Sequence, residues 1–238
     1  MVLDAGTIRA VTADPSGVVA MVDVGATEAD PDLSSYVRSW RKRLLDLVVG
    51  VPLALLVAPL VLGLALVMLV SLRTWPFFVQ RRVGRGGRLF RMVKLRTLPR
   101  SAPRHADKTV IAAVRTTRAG RYLRGTHLDE IPQIFLVVSG RMSLVGPRPE
   151  MPQLMGNFDP VEARLRTSVR PGCTGVWQVS GDAGRQIYEV PQYDRAYLAH
   201  ARASLDLFLL WSTLRCMLRS TCARPRRARF RVVFGLDA

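Results

Sequence analysis

Cysteine and histidine are scarce in this 238-residue chain, with three of each. Cys173, Cys216 and Cys222 lack the regular spacing of a disulfide framework, and no Cys/His cluster has the spacing of a zinc site. A reducing, cytosol-facing compartment fits this usage. Acidic residues are also short: 18 Asp and Glu stand against 35 Lys and Arg, a net charge of +17. That balance argues against an ordinary soluble cytoplasmic enzyme and points to polyanionic partners. The first residues lack a basic stretch followed by an apolar core and a small-residue cleavage site, so no removable signal peptide is expected. The length suits one catalytic domain and is too short for two of full size.

The acidic charge that exists is crowded at the start. Asp4, Asp14, Asp23, Glu28, Asp30 and Asp32 precede Ser35, with Arg9 as the only base among them. Everything after is strongly basic. Nucleic acid, anionic lipid and nucleotide diphosphates all suit such a surface, and charge alone leaves the three open.

Apolar content narrows the choice. Leu47 to Leu72 is a run of 26 residues without a charge, more than the roughly 20 that cross a hydrocarbon core. Arg38, Arg41, Lys42 and Arg43 precede it and Arg73, Arg81, Arg82, Arg85 and Arg88 follow it. Since positive residues favour the cytoplasmic side, both flanks belong there. Pro52 and Pro59 lie inside the run, each removing a helical hydrogen bond. A kinked, re-entrant hairpin reconciles the two flanks, whereas a simple spanning helix does not.

Pro76 to Val83 and Arg88 to Arg96 read as strands around Gly84-Arg85-Gly86-Gly87, a cationic β-hairpin. Arg115, Arg118, Arg121 and Arg124 recur every third residue, which on a helix makes a basic face. They lead into a segment where Leu128, Ile131, Phe135 and Val138 fall at helical spacing and Gly140 is the stop signal. Asp129 and Glu130 stand at the start of that helix. An Asp there is ordinarily an N-cap, but two adjacent carboxylates after a row of arginines suit phosphate and Mg2+ chemistry, one attacking and one coordinating. The Gly/Pro-rich stretches 143–150 and 170–181 read as rigid loops, with Arg148 held between two prolines. Tyr193 to Leu218 reads as helix at a membrane interface, and the tail Arg224 to Arg231 as a basic lipid anchor.

Four blocks, KRLLD, FFVQRRVGRGGRLFRMVKLRT, LDEIPQIFLVVSGRMSLVGPRPE and RPGCTGVWQVSG, resemble in order and spacing the bacterial sugar transferase family, the monotopic polyprenol phosphate phosphoglycosyl transferases. The resemblance covers roughly Lys42 to Leu210. It implies a cytoplasm-facing enzyme of the inner membrane that moves a phospho-sugar from a UDP-sugar to polyprenyl (undecaprenyl) phosphate, releasing UMP, as the initiating step of exopolysaccharide or other glycoconjugate synthesis. Asp129 matches the family's nucleophile and forms an aspartyl phospho-sugar, and Glu130 helps hold Mg2+. Lys94, Arg96, Arg124 and Arg148 are the candidates for neutralising phosphate, with Gln178 and Asp194 as further substrate-binding candidates and Pro59 as the break in the membrane helix. Larger members carry an N-terminal bundle of spanning helices and a further domain; the expectation here is a small, minimal form.

The chain departs from the family pattern at Ala58, where serine commonly precedes the helix-breaking proline, and at Asp182, where the last loop commonly continues Asn-Gly-Arg. The segment after Thr97 is also short for the family, which bears on a lid over the site. The expected fold is mainly α with a small β-hairpin, a monotopic membrane protein with a re-entrant helix-break-helix and interfacial amphipathic helices. Its divisions are an acidic extension (1–37), a basic flank and membrane helix (38–73), a catalytic domain (74–222) and a basic tail (223–238). Expected partners are UDP-sugar, polyprenyl phosphate and anionic lipid, without nucleic acid; a homo-oligomer stays open. The competing class is a non-catalytic, membrane-tethered basic scaffold or nucleic-acid-binding protein, which explains the charge and the apolar run but gives no reason for Asp129-Glu130 among arginines.

Overall fold

The longest element, helix α1 (Trp40–Leu72), starts where the Ser39 side chain accepts a hydrogen bond from the Lys42 N–H and ends at Arg73, whose backbone turns left-handed. Its 33 residues extend about 50 Å at 1.5 Å per residue. Among the described residues it is the one helix long and apolar enough to cross a membrane. The computed structural model describes residues 33–102 and 114–219; residues 1–32 of the acidic extension, residues 103–113 of the short segment after Thr97 and the basic tail lie outside.

Pro52 and Pro59 both lie inside α1. Helical backbone continues through both, so no gap in the helix marks the expected break. Each proline forfeits a single bond to the carbonyl four residues before it, while the Leu, Val and Ala on either side keep making theirs. One stripe of α1 is buried: Lys42, Asp46, Gly50, Ala54, Val61, Ala65 and Met68, at the spacing of a single helical face. The opposite face leaves Leu44, Val48, Val51, Leu55, Leu56, Leu62, Leu66, Val67, Leu69 and Val70 exposed, an apolar surface far larger than a protein facing water presents.

The chain next forms an antiparallel hairpin of β1 (Phe77–Val83) and β2 (Leu89–Leu95), in register from Phe77 opposite Leu95 to Val83 opposite Leu89. Gly86 and Gly87, at φ 66° and 73°, supply the left-handed turn. The hairpin matches its sequence expectation within a residue or two. Helix α2 (Arg118–Gly125) is capped by Thr117 and carries Arg118, Arg121 and Arg124, while Arg115 lies before it. A 3-10 turn (Leu128–Gln133) then runs into α3 (Ile134–Val138), which stops at Gly140 with φ 78°, as its spacing predicts.

Strands β3 (Ser143–Val145) and β4 (Gly172–Thr174) pair in parallel. A Cβ on Gly172 would meet the Gly146 nitrogen at 2.2 Å, so only glycine permits this approach. Between them lies α4 (Pro160–Thr167), and after them α5 (Gln192–His200) and α6 (Ala203–Arg219). The single helix expected over 193–218 is two, because the chain opens at Ala201, whose carbonyl accepts the Ser34 hydroxyl at 2.7 Å. The turn lets Leu205 and Leu209 enter the core while Leu207, Phe208, Trp211 and Leu214 stay exposed.

The main core joins Ala54 of α1 to Val137, Met142, Leu144, Leu165, Tyr197 and Leu209. A second cluster packs Ala65 and Met68, near the far end of α1, against Leu95 and Leu123. The body therefore packs on α1 at both ends. Near its start the contact is ionic: Lys42 Nζ lies 3.2 Å from Asp46 Oδ1 and 2.7 Å from Asp206 Oδ2. Leu144 N–H donates to Asp46, and Tyr36 and Tyr197 hydroxyls donate to Asp206. Burial raises the Asp206 pKa despite Lys42, and raises both tyrosines.

Candidate active site

Alternation along β1 sends Phe78, Gln80 and Arg82 to one face of the hairpin, and Lys94 stands directly opposite Phe78 on β2. That face forms one wall of a cleft of about 570 Å³. The 3-10 turn brings Asp129 and Glu130 to it, and the loop between β3 and α4 brings Arg148, Glu150 and Met151. Trp177, Gln186 and Tyr188 line another part of it.

Lys94 Nζ lies 2.6 Å and Arg148 Nη2 3.2 Å from the same oxygen, Glu130 Oε1. Burial alone works to raise the Glu130 pKa, but these two cations together hold it well below the ordinary range. Burial lowers the Lys94 pKa against Glu130's pull, and the Glu130 charge raises that of Arg148. Asp129 behaves oppositely: burial and the neighbouring Glu130 charge push it up to about 6, while Lys94 and Arg124 pull it down. Two adjacent carboxylates thus divide into one firmly ionised and one poised near neutrality.

Arg148 is fixed from several sides. Its guanidinium sits 5.9 Å from the Trp177 ring centre, and its carbonyl accepts Arg166 Nη2 at 2.7 Å. Arg166 in turn pairs with Asp194 Oδ2 at 3.2 Å and lies 4.0 Å from the Phe158 ring centre. Arg82 donates to Gln80 Oε1 and the Pro149 carbonyl at 2.7 and 3.2 Å, and pairs with Glu150 at 3.4 Å. Burial lowers the Arg82 pKa to about 10.

Of the sequence candidates, Asp129, Glu130, Lys94, Arg96, Arg124 and Arg148 converge on the cleft. Arg96 lines it while donating Nε to the Trp75 carbonyl at 3.0 Å. Asp194 and Gln178 are not among the lining residues. Asp194 is committed to Arg166 behind Arg148, where burial pushes it up to about 6; Gln178 Nε2 is buried without a hydrogen-bond partner. Asp182 also faces inward, accepting the Tyr193 hydroxyl at 2.6 Å and, through its carbonyl, the Trp177 indole at 3.0 Å. Its departure from the family pattern is absorbed within the loop, and Gln186 and Tyr188 are the residues that reach the cleft. Sequence reasoning missed them along with Gln80 and Arg82; the alternation of β1 was the available signal for the latter two.

Among the described residues no three His, Cys, Asp or Glu gather as a metal-binding group. The donor set nevertheless suits Mg2+, which takes one or two carboxylates and fills its other positions with phosphate oxygens and water. Glu130 fits that role, since both its ion pairs fall on Oε1 and leave Oε2 for a cation.

Known proteins resemble this chain over most of its length. The family described as "Bacterial sugar transferase" matches residues 37–220. The chain is 33% identical over 199 residues to the UDP-N-acetylgalactosamine-undecaprenyl-phosphate N-acetylgalactosaminephosphotransferase of Aeromonas hydrophila, covering 81% of this chain and 47% of that one. It is 37% identical over 186 residues to the UDP-glucose:undecaprenyl-phosphate glucose-1-phosphate transferase of Caulobacter vibrioides (76% and 68%). It is 30% identical over 212 residues to the UDP-galactose-lipid carrier transferase of Erwinia amylovora (79% and 42%). The chain thus spans from under half to about two thirds of the length of these relatives.

Proposed function

Because this chain belongs to the bacterial sugar transferase family, we propose that it transfers a sugar phosphate from a UDP-sugar to undecaprenyl phosphate. The observation that carries the reading is Asp129, poised near neutrality, beside a Glu130 fixed between Lys94 and Arg148 in one cleft. An ionised Asp129 oxygen attacks the sugar-linked β-phosphorus. The bond from that phosphorus to the bridging oxygen breaks, its electron pair leaves with UMP, and an aspartyl phospho-sugar remains. An oxygen of undecaprenyl phosphate then attacks the same phosphorus and returns the carboxylate to Asp129. Lys94, Arg124 and Arg148 offset the negative charge that gathers on the phosphoryl oxygens. Glu130 and the diphosphate oxygens would hold Mg2+, which when bound supplies further neutralisation of the leaving phosphate.

The same reading places the protein at the inner membrane as a monotopic enzyme, cleft toward the cytoplasm. The packing supports it. Lys42 and Asp46 at one end of α1 contact the body through Asp206 and Leu144, and Met68 near the other end packs with Leu95 and Leu123. A helix crossing the bilayer upright would draw that polar body into hydrocarbon with it. Anionic lipid then meets the basic flanks.

The named relatives act on N-acetylgalactosamine, glucose and galactose donors, so the test uses a panel. Purified protein in nanodiscs with Mg2+ and undecaprenyl phosphate should release UMP from one or more UDP-sugars, and Asp129→Asn should abolish that release while remaining folded. Release unaffected by Asp129→Asn refutes the nucleophile, and no release from any donor by the wild type favours a binding or scaffolding role.

A further inference from the structure

Arg43, on the flank of the membrane helix, spends its guanidinium on the end of the catalytic helix. Its Nη1 donates to the Val137 carbonyl at 2.7 Å and its Nη2 to the Val138 carbonyl at 2.9 Å. These carbonyls belong to the last turn of α3, which carries the negative end of the helix dipole; that of Val137 also accepts the Gly140 N–H at 3.0 Å, and that of Val138 takes Arg43 as its donor. Among the described residues no carboxylate lies within ion-pair distance of Arg43. A second guanidinium completes the clasp, with Arg170 Nε donating to the Gly140 carbonyl at 3.1 Å. The helix end is shaped to receive it: a Cβ on Gly140 would stand 3.4 Å from Arg43 Nη2. Two helical turns further along α1, a Cβ on Gly50 would touch Val137 at 3.4 Å, and Val137 is fully buried.

The clasped helix is continuous with the 3-10 turn that carries Asp129 and Glu130. We propose that Arg43 is a positioning residue for the transfer reaction, fixing the far end of this short rod to the membrane helix so that Asp129 and Glu130 stay in register with Lys94, Arg124 and Arg148. This rests on the proposed function for its kinetic readout, but the mechanical link is independent of it. The seating of α1 in the bilayer and the geometry of the carboxylate pair are then coupled through two hydrogen bonds.

The test compares wild type, Arg43→Met, Arg43→Lys and, as a control outside the cleft and the lipid-facing flanks, the exposed Arg202→Met in nanodiscs. Misplacing a reacting group by about 1 Å costs about 100-fold in rate, so Arg43→Met should lower kcat roughly 10- to 100-fold with KM nearly unchanged. Arg43→Lys, with one donor point in place of a fork, should fall between, and Arg202→Met should match wild type. A kcat per folded molecule equal to wild type, or an equal loss in Arg202→Met, would overturn the proposal. Hydrogen exchange reads the same link without turnover. The amides of Ile131 to Val138 should exchange faster in Arg43→Met with the β3–β4 amides unchanged, and unaltered exchange along that rod sinks the inference even if the wild type transfers no sugar. A wild type without UMP release but with faster exchange in Arg43→Met refutes the function and leaves the coupling standing.

Discussion

Lys94 Nζ stands 2.6 Å from Glu130 Oε1, so the carboxylate that follows Asp129 in the chain is the one neutralised by direct contact. Asp129 is left with burial and an anionic neighbour to raise its pKa and more distant cations to lower it. Below about pH 6 the two adjacent acids therefore hold different charge states, and above it both are ionised.

The acidic limb of activity should have its midpoint near pH 6, the value to which Asp129 is pushed, since the proposed attack on phosphorus needs the ionised form. The stability effect has the opposite sense. A carboxyl raised above its unfolded value of 3.8 favours the fold below that value and loses this contribution as pH rises through about 6. Asp129→Asn should accordingly melt higher than wild type at pH 7 and alike at pH 3.5, as thermal unfolding at the two values will show.

Lys94→Gln should shift the acidic limb upward, because Lys94 lowers the Asp129 pKa. The pair can be isolated with Lys94→Met and Glu130→Gln in a double-mutant cycle. A coupling of about 1 to 3 kcal/mol is expected for contacting charges away from bulk water. A coupling indistinguishable from zero in chemical denaturation would mean that water screens the contact.

Lys42→Met should be among the most damaging single changes outside the cleft. It strands Asp46 and Asp206, both with no exposed surface, and removing one partner of a buried ion pair costs about 3 to 5 kcal/mol. Because burial already raises the Asp206 pKa, protonation relieves the stranded charge. The loss in thermal stability should shrink between pH 7 and pH 4, and a deficit constant with pH would refute the electrostatic cause.

Single cysteines placed at Arg38 and Thr74, in a background with Cys173, Cys216 and Cys222 replaced by alanine, should react with a membrane-impermeant thiol reagent from the same side of sealed vesicles. Labelling from opposite sides would mean that α1 spans the bilayer.

Local pattern made part of this architecture legible. The glycine-centred turn between two cationic strands, the period of Leu128, Ile131, Phe135 and Val138, and Gly140 as the stop are written within a few residues of one another. Asp129, Glu130, Lys94 and Arg148, singled out from the residues and the family resemblance, meet in the cleft. What stayed hidden depends on long-range partners. Arg166 reaches back to the Arg148 carbonyl and forward to Asp194, a pairing that no periodicity encodes, and it draws Asp194 away from the substrate role expected of it. The opening at Ala201 depends on Ser34, 167 positions earlier. The continuity of α1 through Pro59 shows that proline in a strongly apolar run can be overruled by the helix around it.

The membrane helix is also a wall of the protein's interior. Ala54 sits in the main core, and Ala65 and Met68 cover Leu95 and Leu123. A water-soluble catalytic fragment therefore cannot be made by trimming the apolar segment, because the cut would bare Val137 and Leu123 along with the clasp on the catalytic rod. Solubilisation has to proceed by recoding the outward leucines and valines of α1, with its inward stripe left untouched.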